Sequence, residues 1–527
     1  MKVKIWLTSW LVIVISSLSA CGYLVFTIDP FMHYRKPDLD RYFYRLDNQR
    51  SQNDGIIKHF DYDAMITGTS MTENFRTTEA DRLFGCHFIK TSFSGGLYKE
   101  INDNIKNAFK ENPDLKTVIR CSDIGRFDTV KDEGRDDLGR YPTYLYDSNP
   151  FNDVEYLLNR DVVFERSLKM TLEKDKEGFE PGITSFDDYS RWQERYTFGS
   201  KTVLQDGAKT EDPAQTHLSD DVKQIIRENI TQNVTNLADE HPEADFYYFY
   251  SPYSAAVWGN WKRKGTLYEH LEAVRYVTEL ILPHKNIHLF SFNGRADIIT
   301  DLNNYKDETH YACWVNSLIL KWIHDGKYQL TEDNYKDRLK QEYDFFTTFD
   351  YSGLYDQKDY EADYYAGALL NQELTGIKPL DVLHDKKAGA VISGAEYRSD
   401  ENGQPVVDCR GSLSREPEGE NLAYYLREKE YIGIRFDVNL DKGYNYLAFD
   451  GQKIAGRGCL TAFIYDSRGK LLKKAEANDK DLDHKVHQYV MDLSTFSGNV
   501  TVILNGGYVD HTGGADSEYQ FSNIFMY

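Results

Sequence analysis

The chain has 527 residues, a length that favours more than one domain. Its composition, 41% hydrophobic and 28% charged, is typical of a globular protein and unlike that of a disordered chain. Its formal net charge of -22 and its lack of a Lys/Arg run argue against a nucleic-acid partner. Six scattered cysteines, without a CxxC pair or zinc spacing, predict neither a metal site nor a disulfide framework. Buried thiols are the expectation, with a Cys409–Cys459 disulfide as the alternative.

The N-terminus has the pattern of a membrane anchor. Lys2 and Lys4 precede an uncharged stretch, Ile5–Ile28, which as a helix is long enough to cross a bilayer. The positive flank should stay cytoplasmic, so everything that follows the stretch should lie outside. We therefore predict a single-pass cell-membrane protein, anchored by residues 1–30. The tetrapeptide LSAC, ending at Cys21, resembles a bacterial lipobox, so attachment as a lipoprotein through Cys21 is the alternative.

Beyond the anchor, short apolar runs alternate with amphipathic stretches, a pattern typical of βαβ units around a parallel sheet. Helices are predicted to begin at Thr78 and Tyr98, and another over residues 270–282. The α/β domain is predicted over residues 31–380, with a partly helical insertion at about 128–235. The predicted strands are residues 63–67, 87–91, 116–121, 245–250 and 286–290.

The sequence pattern changes after about residue 385. Short strands alternate with turn signals such as DENGQ, DKGYN and DSRGK, and no convincing helix interrupts them. This pattern predicts a β-sandwich over residues 385–527. The alternation of short strands and turns resembles that of jelly-roll carbohydrate-binding modules.

A candidate nucleophile and base stand at the two ends of the α/β domain. Ser70 follows the first strand in the sequence Gly68-Thr69-Ser70, where a glycine permits a tight turn and a helix N-terminus can stabilise an anion. Asp307 and His310 follow the last strand at a spacing that lets the carboxylate orient the imidazole while the other ring nitrogen faces a serine. We predict these as a catalytic triad.

Further polar residues follow the second and third strands. Ser94 and Gly95 come after the second strand, and Ser122 and Asp123 end the third. Because the carboxyl ends of parallel strands meet at one edge of a sheet, all are expected near the same crevice. We predict that they supply oxyanion or substrate-binding contacts.

Together, the Gly68-Thr69-Ser70 block, Gly95 after the second strand and the Asp307-x-x-His310 block resemble the SGNH/GDSL hydrolase superfamily, over about residues 60–325. The resemblance implies a flavodoxin-like three-layer α/β domain. It assigns the nucleophile to Ser70, an oxyanion glycine to Gly95, and the base and its orienting acid to His310 and Asp307. The chain departs from the family in having Gly-Thr-Ser instead of Gly-Asp-Ser and in lacking a Gly-x-Asn-Asp oxyanion block.

The anchored layout is similar to bacterial envelope proteins that acetylate or deacetylate exopolysaccharides, and to the D-alanyl-lipoteichoic acid biosynthesis proteins. This implies an extracytoplasmic serine esterase or O-acyltransferase acting on acyl esters, above all O-acetyl esters, of cell-envelope or exopolysaccharide glycans. Such a triad needs no metal and no cofactor, and a membrane acyl-transfer protein is a candidate partner. The alternative is a catalytically inactive glycan-binding or assembly protein, which the missing oxyanion asparagine would suggest.

Overall fold

A computed structural model describes residues 2–135, 137, 141–147, 149–188, 192, 196–204, 213–357, 375–385, 389–392, 394–400, 403–413, 421–455, 460–476, 484, 486–509 and 517–527. The chain divides into two compact units. The first comprises Met1–Tyr196 and Val203–Asp356, and the second comprises Thr197–Thr202 and Gln357–Tyr527. Cys459 lies outside the described residues, and so does the disulfide suggested for it.

The helices are α1 Lys2–Ile28, α2 Gln49–His59, α3 Thr77–Phe84, α4 Tyr98–Glu111, α5 Val154–Leu157, α6 Lys169–Glu173, α7 Ser200–Val203, α8 Asp220–Ile230, α9 Asn236–Glu240, α10 Ala255–Lys264, α11 Leu267–Ile281, α12 Ala296–Ile299, α13 Cys313–His324, α14 Tyr335–Thr348 and α15 Leu422–Arg427. Two π-helical turns, Val162–Leu168 and Thr231–Thr235, run directly into α6 and α9.

The first unit is built on a six-stranded sheet. Its strands are β2 Ala64–Gly68, β3 Phe88–Ser92, β4 Thr117–Ser122, β6 Asp245–Tyr250, β7 Ile287–Ser291 and β8 Gln329–Leu330. They are ordered β3-β2-β4-β6-β7-β8, and every pair is parallel except β7 with β8. The parallel strands, counted along the chain, thus follow the order 2-1-3-4-5 of doubly wound, flavodoxin-like sheets.

The sequence predicted each parallel strand to within one residue. The reason is that these strands are buried on both faces and read as nearly continuous apolar runs: every residue of β2, β3 and β4 is buried. A parallel sheet also brings the residues that follow each strand to one edge. Ser70 follows β2, Ser94 follows β3 and Asp123 follows β4, so the sheet collects these polar residues at its carboxyl edge.

The insertion predicted at about 128–235 contains α5, α6 and α8, both π-helical turns and a short strand, β5 Gly182–Ile183, whereas its residues Thr197–Thr202, which include the start of α7, belong to the second unit. This strand pairs in parallel with β1 Phe43–Tyr44, near the N-terminus. The insertion is therefore paired with the start of the first unit.

The second unit contains two sheets. One is ordered β10-β13-β18-β15-β16; the other is ordered β11-β12-β20-β14-β17, with β9 on β20 and β19 on β12. Their strands are β9 Leu380–Asp381, β10 Gly389–Ile392, β11 Ala395–Ser399, β12 Pro405–Leu413, β13 Gly433–Asn439, β14 Tyr446–Ala455, β15 Thr461–Asp466, β16 Leu471–Glu476, β17 Val486–Asp492, β18 Asn499–Asn505, β19 Tyr508–Val509 and β20 Ser517–Met526.

Apolar side chains from both sheets, such as Ile434, Leu447, Val502 and Phe521, form one buried core. This is the architecture of a β-sandwich. The sequence missed one element, the helix α15, because six residues are too few for an apolar period to show. The Asn421 side chain caps α15 by accepting the backbone N–H of Tyr424.

Among the described residues, α1 is the one helix that is long and apolar enough to cross a membrane, a property that signal sequences share. It runs without a break through Cys21, whose side chain packs beside a small apolar core that includes Val25, Phe31 and Tyr156. The final turns of α1 are therefore part of the first unit.

Candidate functional site

The turn that carries Ser70 depends on a glycine. Gly68 ends β2 with a φ of +143°, a conformation that L side chains rarely adopt, and a Cβ at this position would collide with the Sγ atom of Cys121. The chain then forms a single 3-10 turn, Ser70–Thr72, directly at the carboxyl edge of the sheet. Ser70 is thereby presented at the N-terminal end of that turn.

Thr69, which precedes the candidate nucleophile, is held by hydrogen bonds to residues at the end of β4. Its hydroxyl donates a hydrogen bond to one oxygen of the buried Asp123 carboxylate, and its backbone N–H donates to the Sγ atom of Cys121 at 3.3 Å. The other Asp123 oxygen accepts the hydroxyl of Ser251 at 3.1 Å. Asp123 therefore ties the end of β2 to the ends of β4 and β6.

The loop after the Ser70 turn is held by a buried lysine. The Nζ atom of Lys90, on β3, donates to the backbone carbonyls of Glu73 and Phe75 at 2.5 and 2.7 Å. Burial lowers the pKa of Lys90 from 10.5 to about 7. From α13, the Asn316 side-chain amide donates to the Met71 carbonyl at 3.1 Å. Neither contact was predicted from the sequence, because a single polar residue within a buried strand or helix forms no motif.

His310 joins Ser70 to Asp307. Its Nε2 atom lies 2.8 Å from Ser70 Oγ, although 240 residues separate the two in the chain. Its Nδ1 atom lies 2.8 and 2.9 Å from the two carboxylate oxygens of Asp307. When the carboxylate accepts the Nδ1 proton, Nε2 is left as an acceptor for the serine hydroxyl. The structure thus brings together the three residues that the sequence predicted as a triad.

The surroundings of Asp307 keep it ionised. Burial raises its pKa, but three hydrogen-bond donors outweigh that effect: the His310 ring and the backbone N–H groups of His310 at 2.9 Å and Thr309 at 3.0 Å. The resulting pKa is about 2, below the ordinary 3.8. Asp307 can therefore orient the imidazole and stabilise a positive charge on it.

The loop that carries Asp307 and His310 closes on itself. Tyr305 and Tyr311 form an antiparallel bridge, and the Lys306 N–H donates to the His310 carbonyl at 3.0 Å. The Ser254 hydroxyl, beside α10, donates to the Glu308 carbonyl at 2.6 Å. These bonds set the position of the imidazole independently of its contact with Ser70.

Aromatic residues from the insertion lie beside the imidazole. The Trp192 ring packs edge-on against His310 with a centroid separation of 5.0 Å, and Trp192 is almost fully buried. The Nζ atom of Lys306 lies 4.0 Å from the Trp192 ring centroid and 3.9 Å from that of the exposed Tyr196. Burial lowers the pKa of Lys306. Sequence reasoning missed these residues, since nothing in the insertion forms a motif.

The remaining predicted residues lie in different settings. The Ser94 N–H already donates to the side-chain oxygen of Gln49, whereas Gly95 has a φ of +62° and its carbonyl accepts a bond from Arg135. Ser122 is buried, and its hydroxyl has no hydrogen-bond partner in the described part of the chain. Asp123 bonds to the neighbour of Ser70 and not to Ser70 itself.

No group of His, Cys, Asp and Glu among the described residues could hold a metal ion. No family model matches the chain, and no curated protein matches it.

Several solved structures show distant likeness. A protein of Streptococcus pneumonia described as a platelet activating factor is 10% identical, with 53% of this chain and 90% of that chain covered and a TM-score of 0.25. A family two carbohydrate esterase from Cellvibrio japonicus is 9% identical, and the match spans 28% of this chain but only 34% of the esterase, with a TM-score of 0.17.

A carbohydrate-binding module from Clostridium stercorarium, solved with cellobiose, is 9% identical, with 28% of this chain and 92% of the module covered and a TM-score of 0.16. At these TM-scores none of the three likenesses carries an inference about this chain.

Proposed function

We propose that the chain is an extracytoplasmic serine esterase or O-acyltransferase that acts on acyl esters, acetyl esters above all, of cell-envelope or exopolysaccharide glycans. The observation that carries the proposal is the continuous hydrogen-bonded series from Ser70 through His310 to Asp307. A serine is a weak nucleophile alone, and an adjacent, oriented base is what activates it.

In the proposed reaction, the Ser70 oxygen attacks the ester carbonyl while His310 Nε2 takes the hydroxyl proton. The imidazolium that forms is stabilised by Asp307. Collapse of the tetrahedral intermediate breaks the ester bond, and His310 returns the proton to the departing glycan hydroxyl. Water or a second hydroxyl then attacks the acyl-serine, giving hydrolysis or transfer by the same steps in reverse.

The negative charge on the tetrahedral oxygen needs donors. We propose the backbone amides of Ser70 and Gly95 for this role. Of the two residues predicted after β3, Ser94 already donates its N–H to the side-chain oxygen of Gln49. Gly95 is therefore the better candidate for the second oxyanion donor. Asp123 is better suited to position Thr69, because its two carboxylate oxygens already accept the hydroxyls of Thr69 and Ser251.

The proposed location follows from α1. We propose that α1 anchors the chain in the membrane, with Lys2 and Lys4 on the cytoplasmic side and the Ser70 site outside. Attachment through Cys21 would change the anchor and leave the site on the same side. The β-sandwich is proposed to bind the glycan that carries the ester, since two packed sheets with exposed aromatics such as Tyr397 suit sugar stacking.

The test is the hydrolysis of an aryl acetate by the full chain in detergent, with Ser70→Ala and His310→Ala as variants. Each should lower kcat/KM by about 10³-fold or more. Ser352→Ala and His217→Ala are matched controls at exposed positions of the same unit and should retain activity. An active wild type that is unaffected by Ser70→Ala would overturn the proposal.

An inactive wild type requires a second assay, in which an acylated donor and a glycan acceptor are supplied together. Transfer that depends on Ser70 would identify an acyltransferase. If neither hydrolysis nor transfer occurs, while the chain binds the glycan, the non-catalytic glycan-binding protein is the correct assignment.

A further inference from the structure

A group of large apolar side chains lies exposed on the segment 151–172, which belongs to the insertion. Phe151 is 89% exposed and Leu172 is 62% exposed, far above what a buried core residue shows. In the continuous run formed by Val162–Leu168 and α6, the exposed residues Phe164, Leu168 and Leu172 recur every fourth position, so these three lie along one side. We call this set the apolar stripe; its members are Phe151, Val154, Leu158, Phe164, Leu168 and Leu172.

The buried side chains of this segment pack against α1, and Leu158 of the stripe borders that contact. Tyr156, Val162 and Val163 form a buried core with Val25 of α1. A Cβ atom placed on Gly22 would lie 3.8 Å from Cδ2 of Leu158, so the first part of the segment touches α1 well before that helix ends. The apolar stripe is therefore continuous with the apolar surface of α1.

Hydrogen bonds also fix the position of segment 151–172 along the axis of α1. The buried Asp29 carboxylate, directly after α1, accepts the Tyr156 hydroxyl at 2.8 Å and the backbone N–H groups of His33 and Tyr34 at 2.9 and 2.7 Å. Tyr34 in turn donates its hydroxyl to Asp153 at 3.0 Å. Segment 151–172 cannot slide along α1 without breaking these bonds.

The length of α1 places the stripe relative to a bilayer. At about 1.5 Å per residue, a hydrocarbon layer of about 30 Å that begins at Ile5 is filled by about 20 residues and ends near Leu24. Gly22 lies below that level, and Leu158 lies beside Gly22. With α1 across the membrane, Leu158 of the apolar stripe is at the depth of lipid acyl chains.

We propose that the apolar stripe is a second membrane contact, seated in the outer leaflet beside α1 and covered by lipid. The inference rests on the proposed anchoring through α1. A single helix with a flexible exit would let the catalytic unit rotate freely, whereas a helix plus an interfacial surface fixes its tilt. The stripe thereby holds the Ser70 site at a constant height and orientation above the bilayer.

Nitroxide labels in the full chain test this, after reconstitution into phosphatidylcholine vesicles without other proteins. Leu158→Cys places a label on the stripe, at the member that lies beside α1. Val130→Cys is its matched control, because Val130 is equally apolar and 58% exposed in the same unit but lies outside the stripe. Leu11→Cys reports α1 independently. Signal from the unsubstituted chain is subtracted, because it has cysteines of its own.

We expect oxygen, which concentrates in lipid, to relax the labels at positions 11 and 158 several times more strongly than an aqueous nickel chelate does, with the reverse at position 130. A label at 158 that behaves as the one at 130, while the label at 11 is in lipid, overturns the membrane contact of the stripe and leaves the anchor intact. In that case a protein partner would cover the stripe. Aqueous labels at both 11 and 158 would overturn the anchor as well.

Discussion

The hydroxyl of Thr69 donates a hydrogen bond to the carboxylate of Asp123, joining the end of β2 to the end of β4 immediately beneath Ser70. Thr69 is buried, so the bond is shielded from water. Its effect on the site is indirect: it fixes the backbone from which the Ser70 side chain reaches His310. Asp123 is thus a positioning residue for the proposed reaction.

This bond predicts a measurable coupling between the two residues. Thr69→Val keeps the shape but removes the donor, and Asp123→Asn removes the charge. Each should lower kcat, and because a hydrogen bond to a charged group is worth about 1.5–3 kcal/mol, the double variant should fall short of additivity by a similar amount. The measurement is a double-mutant cycle on kcat and on Tm. Fully additive effects would contradict the positioning role.

Asp307→Asn should lower kcat/KM by about 10⁴-fold with little change in Tm, because the amide keeps the shape but no longer favours the tautomer that leaves Nε2 as the acceptor. Asp325→Asn changes an exposed carboxylate directly after α13. This variant is the control and should leave kcat/KM unchanged. The kinetics are measured on an aryl acetate. An Asp307→Asn variant within a few-fold of wild type would show that this carboxylate does not orient His310.

The sequence predicted the sheet well, because buried parallel strands such as β2 and β4 are uninterrupted apolar runs bounded by turns. It also predicted which residues would meet: Ser70 and His310 follow strands of one parallel sheet, so the topology brings them to one edge.

What the sequence could not predict depends on contacts without a local pattern. Trp192 reaches His310 from a long insertion, and Lys90 is a cation on a strand whose other residues are apolar or small. Both positions are determined by tertiary packing, which leaves no period and no motif in the chain. The short helix α15 was missed because its six residues show no apolar period, and because its capping residue, Asn421, is also common in turns.

Trp192 should support the reaction through the position of His310. Trp192→Ala removes an edge-on aromatic contact worth about 0.5–1.5 kcal/mol, and we expect kcat to fall by up to about tenfold. Trp192→Phe should restore most of the loss, since a smaller ring can keep the contact. The pH profile of kcat is measured for all three chains. Unchanged kcat and an unchanged profile in Trp192→Ala would show that the ring serves packing alone.

Glu342 predicts a pH-dependent stability that is separate from catalysis. Burial raises the pKa of this carboxyl from 4.5 to about 7, against the effect of the Ser291 hydroxyl, which donates to it at 2.6 Å. A raised folded-state pKa means that the folded chain binds more protons than the unfolded one between about pH 4.5 and 7. The stabilisation is therefore complete below pH 4.5 and is lost as the pH rises through 7.

Glu342→Gln removes that titration, so its Tm relative to wild type should rise as the pH increases from 5 to 8, by more than that of the exposed control Glu332→Gln. The comparison uses the difference between chains at each pH, because the other titrating groups then cancel. The glutamine can still accept the Ser291 hydroxyl, which keeps the buried contact intact. A difference in Tm that stays constant over this range would mean that Glu342 has the same pKa in the folded and the unfolded chain. That result would contradict the effect expected from its burial in α14 beside Ser291, at the end of β7.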